Sequence, residues 1–147
     1  MRMHVVASLV SALLLLTPAH AQDKVPSAVQ QEILIKSALL TLNDANVTGN
    51  YTVLHAKLGK QFRDQITPDK LKQVFKNFAE KKVDWDLIAA KSPVASSESK
   101  IDSRGALILR GYFDTRPSRL NYELDFMPSE GEWKPILLHV RLKEPQG

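Results

Sequence analysis

The run GALILRGYFDTRPSRLNYELDFMPSEGEWKPILLHVRLK, Gly105 to Lys143, decides the fold. Between Arg119 and Phe126 the alternation is complete. Leu120, Tyr122, Leu124 and Phe126 fall on one side of an extended chain, and Arg119, Asn121, Glu123 and Asp125 on the other. A two-residue period marks a strand with one buried and one wetter face. Upstream, Leu107, Leu109, Gly111 and Phe113 oppose Ala106, Ile108, Arg110, Tyr112 and Asp114. Downstream, Ile136, Leu138, Val140 and Leu142 oppose Trp133, Pro135, Leu137, His139 and Arg141. Arg116-Pro117-Ser118 reads as a turn, because proline cannot donate to a ladder and restricts the residue before it. Met127-Pro128-Ser129-Glu130-Gly131 reads as a second hairpin loop, with a glycine available for positive φ. The spacing predicts three consecutive strands of an antiparallel meander.

The two faces of this meander differ in chemistry. One is apolar apart from the phenol of Tyr122, so a pocket built on it brings no acid, base or nucleophile of its own. The other mixes Arg110, Tyr112, Asn121, Glu123, His139 and Arg141 with Trp133, Ile108 and Leu137. Exposed aromatic and aliphatic side chains rimmed by arginines are what an interface core and rim require. Ile108, Arg110, Tyr112, Trp133, Leu137, His139 and Arg141 are therefore the interface candidates, for a homodimer or an envelope-protein partner.

Outside the meander, the N-terminus reads as a secretory leader over residues 1–21. Arg2 supplies positive charge, Val5–Leu16 an apolar core and Ala19-His20-Ala21 a small-x-small cleavage site. Twelve residues are too few to span a bilayer, which takes about 20. Cleavage after Ala21 predicts a periplasmic or secreted single domain over residues 22–147, long enough for its own core. Its net charge of +3, from 19 basic and 16 acidic residues once Arg2 has left, is too mild to argue for nucleic acid. Cysteine is absent, which removes disulfides, thiolate metal sites and cysteine nucleophiles. Only His55 and His139 remain, far apart in sequence, so no metal-ligand spacing and no cofactor are read from the chain.

The residues between leader and meander read as helices. Ser27 with Gln30 three residues on is a capping box. The helix it opens, to about Ala45, is apolar around most of its circumference (Val29, Ile33, Leu34, Ile35, Ala38, Leu39, Leu40, Leu42), so it is either covered on several sides or part of an oligomer interface. After the break at Thr48-Gly49-Asn50, a short helix carries Tyr51, Leu54, Leu58 and Phe62, interrupted near Gly59. Thr67 as N-cap, Pro68 as first helical residue and Asp69 at the positive end of the dipole open a third helix. There Leu71, Val74, Phe75 and Phe78 fall on one stripe, and lysines line the remainder as a solvated face or an anionic-surface binder. Val83–Lys91 reads as a first strand with Trp85, Leu87 and Ala89 on one face. Ser92–Lys100 reads as a loop or polar edge strand.

Helices followed by an antiparallel sheet, with Gly49-Asn50-Tyr51, Phe62-Arg63, Thr67-Pro68, Gly111-x-Phe113-x-Thr115-x-Pro117 and Gly131-Glu132-Trp133, resemble exported bacterial members of the nuclear transport factor 2-like superfamily. The resemblance implies an α+β class, with N-terminal helices packed on a curved antiparallel sheet as a cone. It covers about residues 30–142, and its motifs are structural. Some members are isomerases, dehydratases or epoxide hydrolases with catalytic groups projecting into the cone, and many others have no catalysis. In this chain an apolar cone favours a non-catalytic exported binding or interaction domain with a small apolar ligand. Its pocket candidates are Tyr51, His55, Phe75 and Phe78 from the helices, Trp85, and Tyr122 and Phe126 from the meander. The alternative is a small-molecule isomerase or hydrolase using Tyr122 with His55 or with Asp64, Asp84 or Asp86, since acid–base work needs a second positioned group.

Overall fold

The computed structural model describes residues 24–144; the leader expected over residues 1–21 lies outside them. The chain is α+β: helices α1 (Ala28–Thr48), α2 (Thr52–Lys57), α3 (Lys60–Arg63), α4 (Pro68–Val74) and α5 (Lys76–Glu80) precede one antiparallel sheet. Ser27 caps α1 through the expected reciprocal box with Gln30, and Gly49, at φ 74, closes it in the left-handed conformation. Ile35, Ala38, Leu39, Leu42 and Ala45 bury one stripe of α1, whereas Val29 and Ile33 stay exposed. The helix is thus covered on one side, not on several. Thr67 caps α4 as expected, accepting from the Lys70 N–H.

The third helix breaks at Phe75, whose φ of −101° and ψ of 9° separate α4 from α5. Leu71 and Phe75 are buried while Val74, expected on the same stripe, is 57% exposed. Val83–Lys91 is not a strand. Asp84 Oδ1 accepts from the Asp86 N–H at 3.0 Å and from Asn43 Nδ2 at 2.8 Å, turning the chain into a 3₁₀ helix over Asp86–Ala90. A carboxylate that bonds the backbone two residues on offers a turn in place of a ladder. Trp85 is buried, but so is Ile88 from the opposite expected face, while Leu87 is 41% exposed, a set that strand alternation does not give.

Strands β1 (Val94–Ala95) and β2 (Lys100–Ile101) are short edge pieces, both paired with β3 (Leu107–Phe113). Beyond β3 lie β4 (Arg119–Ser129) and β5 (Glu132–Lys143), so the meander forms as read. Its second hairpin is tighter than expected. Met127, Pro128 and Ser129 belong to β4, leaving Glu130 (φ 55) and Gly131 (φ 82) as a two-residue turn. Positive φ at both positions gives the twist that a hairpin needs. Proline fits in β4 because β3 reaches only to Phe126 and leaves Pro128 one free edge.

Between Asp125↔Leu137 and Phe126↔Pro135 the register shifts by one, with Ile136 unpaired. Such a bulge bends its strand and reverses which side chains share a face. Pro135 and Trp133 therefore lie on the face of Phe126, not on the outer face with Leu137, and Pro135 is buried. Leu142 stays on the inner face opposite Leu120 but is 39% exposed at the sheet edge.

One hydrophobic core joins α1, α2, α4, the 3₁₀ helix and the three long strands. Leu39, Leu42, Leu58, Ile88, Leu107, Phe113, Leu120 and Leu124 are fully buried in it. Each such side chain contributes about 1.5–3 kcal/mol before entropy is subtracted. No helix among the described residues is long and apolar enough to cross a membrane.

Candidate functional site

The expected pocket residues are mostly core. Tyr51 is 3% exposed, and its hydroxyl donates to Asn46 Oδ1. Phe75, Phe78 and Trp85 form an aromatic ladder, Phe78 meeting Trp85 edge-on with centroids 5.2 Å apart. Trp85 Nε1 donates to the Leu39 carbonyl at 2.8 Å, and its N–H to Asn43 Oδ1 at 2.9 Å. Tyr122 fills the sheet's inner face: it pairs with Gly111, and a Cβ on that glycine would stand 2.5 Å from the phenol oxygen. Burial pushes the Tyr122 phenol up to about 12. The Tyr122 side chain is inside the packing, at 3% exposure.

The proposed partners of Tyr122 are engaged elsewhere. His55 Nε2 lies 2.7 Å from the Ile66 carbonyl and 3.1 Å from that of Arg63, so it carries the proton and pins α2 to the loop before α4. Asp64 pairs with Lys60, and Asp84 with Asn43; Asp86 is exposed. None of them is a hydrogen-bond partner of Tyr122 among the described residues.

The outer sheet face neutralises itself. Asp125 is 6% exposed and held between Arg110 at 2.8 Å and Arg104 at 3.1 Å. Glu123 meets His139 at 2.8 Å and Arg141 at 3.8 Å. The His139 hydrogen bond, aided by the arginine charges, holds the Glu123 carboxyl below the usual carboxylate range. The Arg119 guanidinium sits 4.0 Å over the Tyr112 ring. Ile108 and Leu137 flank Asp125 in one cross-strand row. Trp133, the aromatic centre expected here, is absent from this face.

Trp133 instead lines a cleft of about 1050 Å³ between α1, α2 and the end of the β4–β5 hairpin. Along α1 its floor is Ile33, Leu34 and Ala38; Leu54 closes it below, and Phe126, Trp133 and Pro135 form the sheet wall. Val25 and Pro26, just before α1, also line it. Of the sequence-derived pocket residues only Phe126 is here. The hairpin is held against the helices by three contacts. The Gly59 N–H donates to the Pro135 carbonyl at 2.8 Å, the Lys60 N–H to Ser129 Oγ at 3.1 Å, and Arg63 meets Glu130 at 2.5 Å. Gly59 is needed at this seam, because a Cβ there would stand 2.9 Å from Ile136. Polar groups sit around the apolar lining: Lys24, Lys57, Glu132 and Lys134, with Thr41 accepting from Lys57 Nζ at 3.0 Å. The signal that could have found the cleft was the apolar flank of α1 at Ile33 and Leu34, in excess of what one buried stripe uses.

Among the described residues no cluster of three or more histidines or carboxylates could hold a metal ion. Comparison of the chain with protein-family models, with curated proteins and with solved structures finds no match in any of the three.

Proposed function

We propose that the chain is an exported, non-catalytic binding domain that takes an apolar ligand in the cleft between α1, α2 and the hairpin. The observation that carries this reading is the exposure of Val25 (42%) and Ile33 (61%) beside Trp133 in a concave, largely apolar site. Concave apolar sites with a few polar groups at their margin are where small molecules bind. The packing of Tyr122 over Gly111 and the two carbonyls on His55 favour binding over isomerase or hydrolase chemistry. The leader pattern at Met1–Ala21 supports export to the periplasm or beyond. The order of helices before a bulged antiparallel sheet supports a cone of the nuclear transport factor 2-like kind.

The test is titration of the purified protein with the neutral fluorophore N-phenyl-1-naphthylamine. Saturable binding that Ile33→Glu abolishes, with that variant's melting temperature unchanged, is expected. Binding that is unsaturable, or indifferent to Ile33→Glu, contradicts the reading.

A further inference from the structure

We infer that the cleft's ligand is a single-chain anionic amphiphile, its carboxylate held by Lys57 at the Thr41 end and its acyl chain laid along α1. The inference rests on the cleft being a binding site and adds the class of ligand.

Length is the first argument. The lining runs along α1 from Ser27 to Thr41, and at 1.5 Å per residue this is about 21 Å. A bilayer core of about 30 Å holds two acyl chains end to end, so one chain extends about 15 Å. The groove thus accommodates one chain with its headgroup. Small side chains at Ser37, Ala38 and Thr41 keep that floor open.

Charge is the second. Three lysines and one glutamate line the cleft, an excess of cations over an apolar floor. Lys134 is shared with Glu130, 3.5 Å away. Lys57 has no carboxylate within ion-pair distance among the described residues and donates only to Thr41 Oγ1. Its ammonium and the Thr41 hydroxyl together present donors to a carboxylate at one end of the groove. A cationic amphiphile would meet repulsion there, and a neutral one would gain a hydrogen bond from Lys57 without the ion pair.

The experiment is calorimetric titration of the protein with sodium dodecanoate, 1-dodecanol and dodecyltrimethylammonium, each below its aggregation threshold. Dodecanoate is expected to bind at least five-fold tighter than dodecanol, and the cation weakest. Lys57→Gln, an exposed position, should bring dodecanoate down to the affinity of dodecanol. Equal affinity for all three, still lost in Ile33→Glu, would overturn the assignment of Lys57 and leave the binding cleft standing. No binding of any of the three would overturn both. Sedimentation with phosphatidylglycerol vesicles separates a free amphiphile from a membrane surface: co-sedimentation that dodecanoate fails to compete also overturns the inference.

Discussion

Tyr122 and Gly111 face one another across β3 and β4, and the phenol occupies the space a Cβ would need. An added methyl at position 111 would stand 2.5 Å from the hydroxyl and 2.3 Å from the Val94 carbonyl of β1. Gly111→Ala must therefore displace both a central aromatic and an edge strand. Overpacking of this kind costs about 1–3 kcal/mol. Denaturant melts measure it, and a stability equal to the parent's would mean that the ring has room to move.

Asn43 joins α1 to the 3₁₀ helix by accepting from the Trp85 N–H and donating to Asp84. At 2% exposure it has no water to replace it. Asn43→Ala should cost about 1–3 kcal/mol by leaving that buried N–H unpaired. Hydrogen exchange at the Trp85 amide is expected to accelerate in the variant; an unaltered rate would place the anchor elsewhere.

Asp84 also gives a pH dependence. The Asn43 hydrogen bond, then that from the Asp86 backbone, hold its carboxyl below the ordinary value. A depressed folded-state value means that the contribution is present above the unfolded value of about 3.9 and is lost as pH falls through the folded one. Asp84→Asn keeps an acceptor but no proton equilibrium. Its melting temperature is expected to fall less than the parent's between pH 5 and pH 3, and identical acid limbs would show that other carboxylates dominate.

The break at Phe75 makes neighbours unequal. Phe75→Ala should cost about 3–5 kcal/mol, as loss of a buried ring does. Val74→Ala and Lys76→Ala should each change stability by less than about 0.5 kcal/mol. Equal losses at positions 74 and 75 would mean one continuous helix with a wider buried stripe.

The residues show why some of this was legible and some was not. Arg119–Phe126 alternates polar with apolar, so only one pairing buries the right set, and β3 and β4 follow. Capping at Ser27 and Thr67 is local chemistry and reads directly. In β5 the run Pro135-Ile136-Leu137-Leu138 is apolar whichever way it faces, so the bulge at Ile136 leaves no mark in the pattern, and simple alternation puts Trp133 on the wrong side. Trp85, Leu87 and Ala89 alternate as a strand does. The turn comes from Asp84, whose partner Asn43 lies 41 residues away. The cleft depends on where the hairpin docks, fixed by the seams from Gly59 to Pro135 and from Arg63 to Glu130. Spacing in sequence carries none of those contacts.

The chain has two tryptophans, one on each side of the central claim. Trp133 lines the cleft, whereas Trp85 is 3% exposed with its indole N–H held by Leu39. A two-dimensional ¹⁵N–¹H spectrum shows one indole signal for each, assigned by Trp133→Phe. On titration with N-phenyl-1-naphthylamine the Trp133 indole should shift progressively and saturate, together with the amides of Leu34, Ala38 and Thr41, while the Trp85 indole stays in place. A stationary Trp133 signal at saturating probe, or shifts gathered on Ile108, Leu137 and His139 of the outer face, would contradict a ligand-binding cleft.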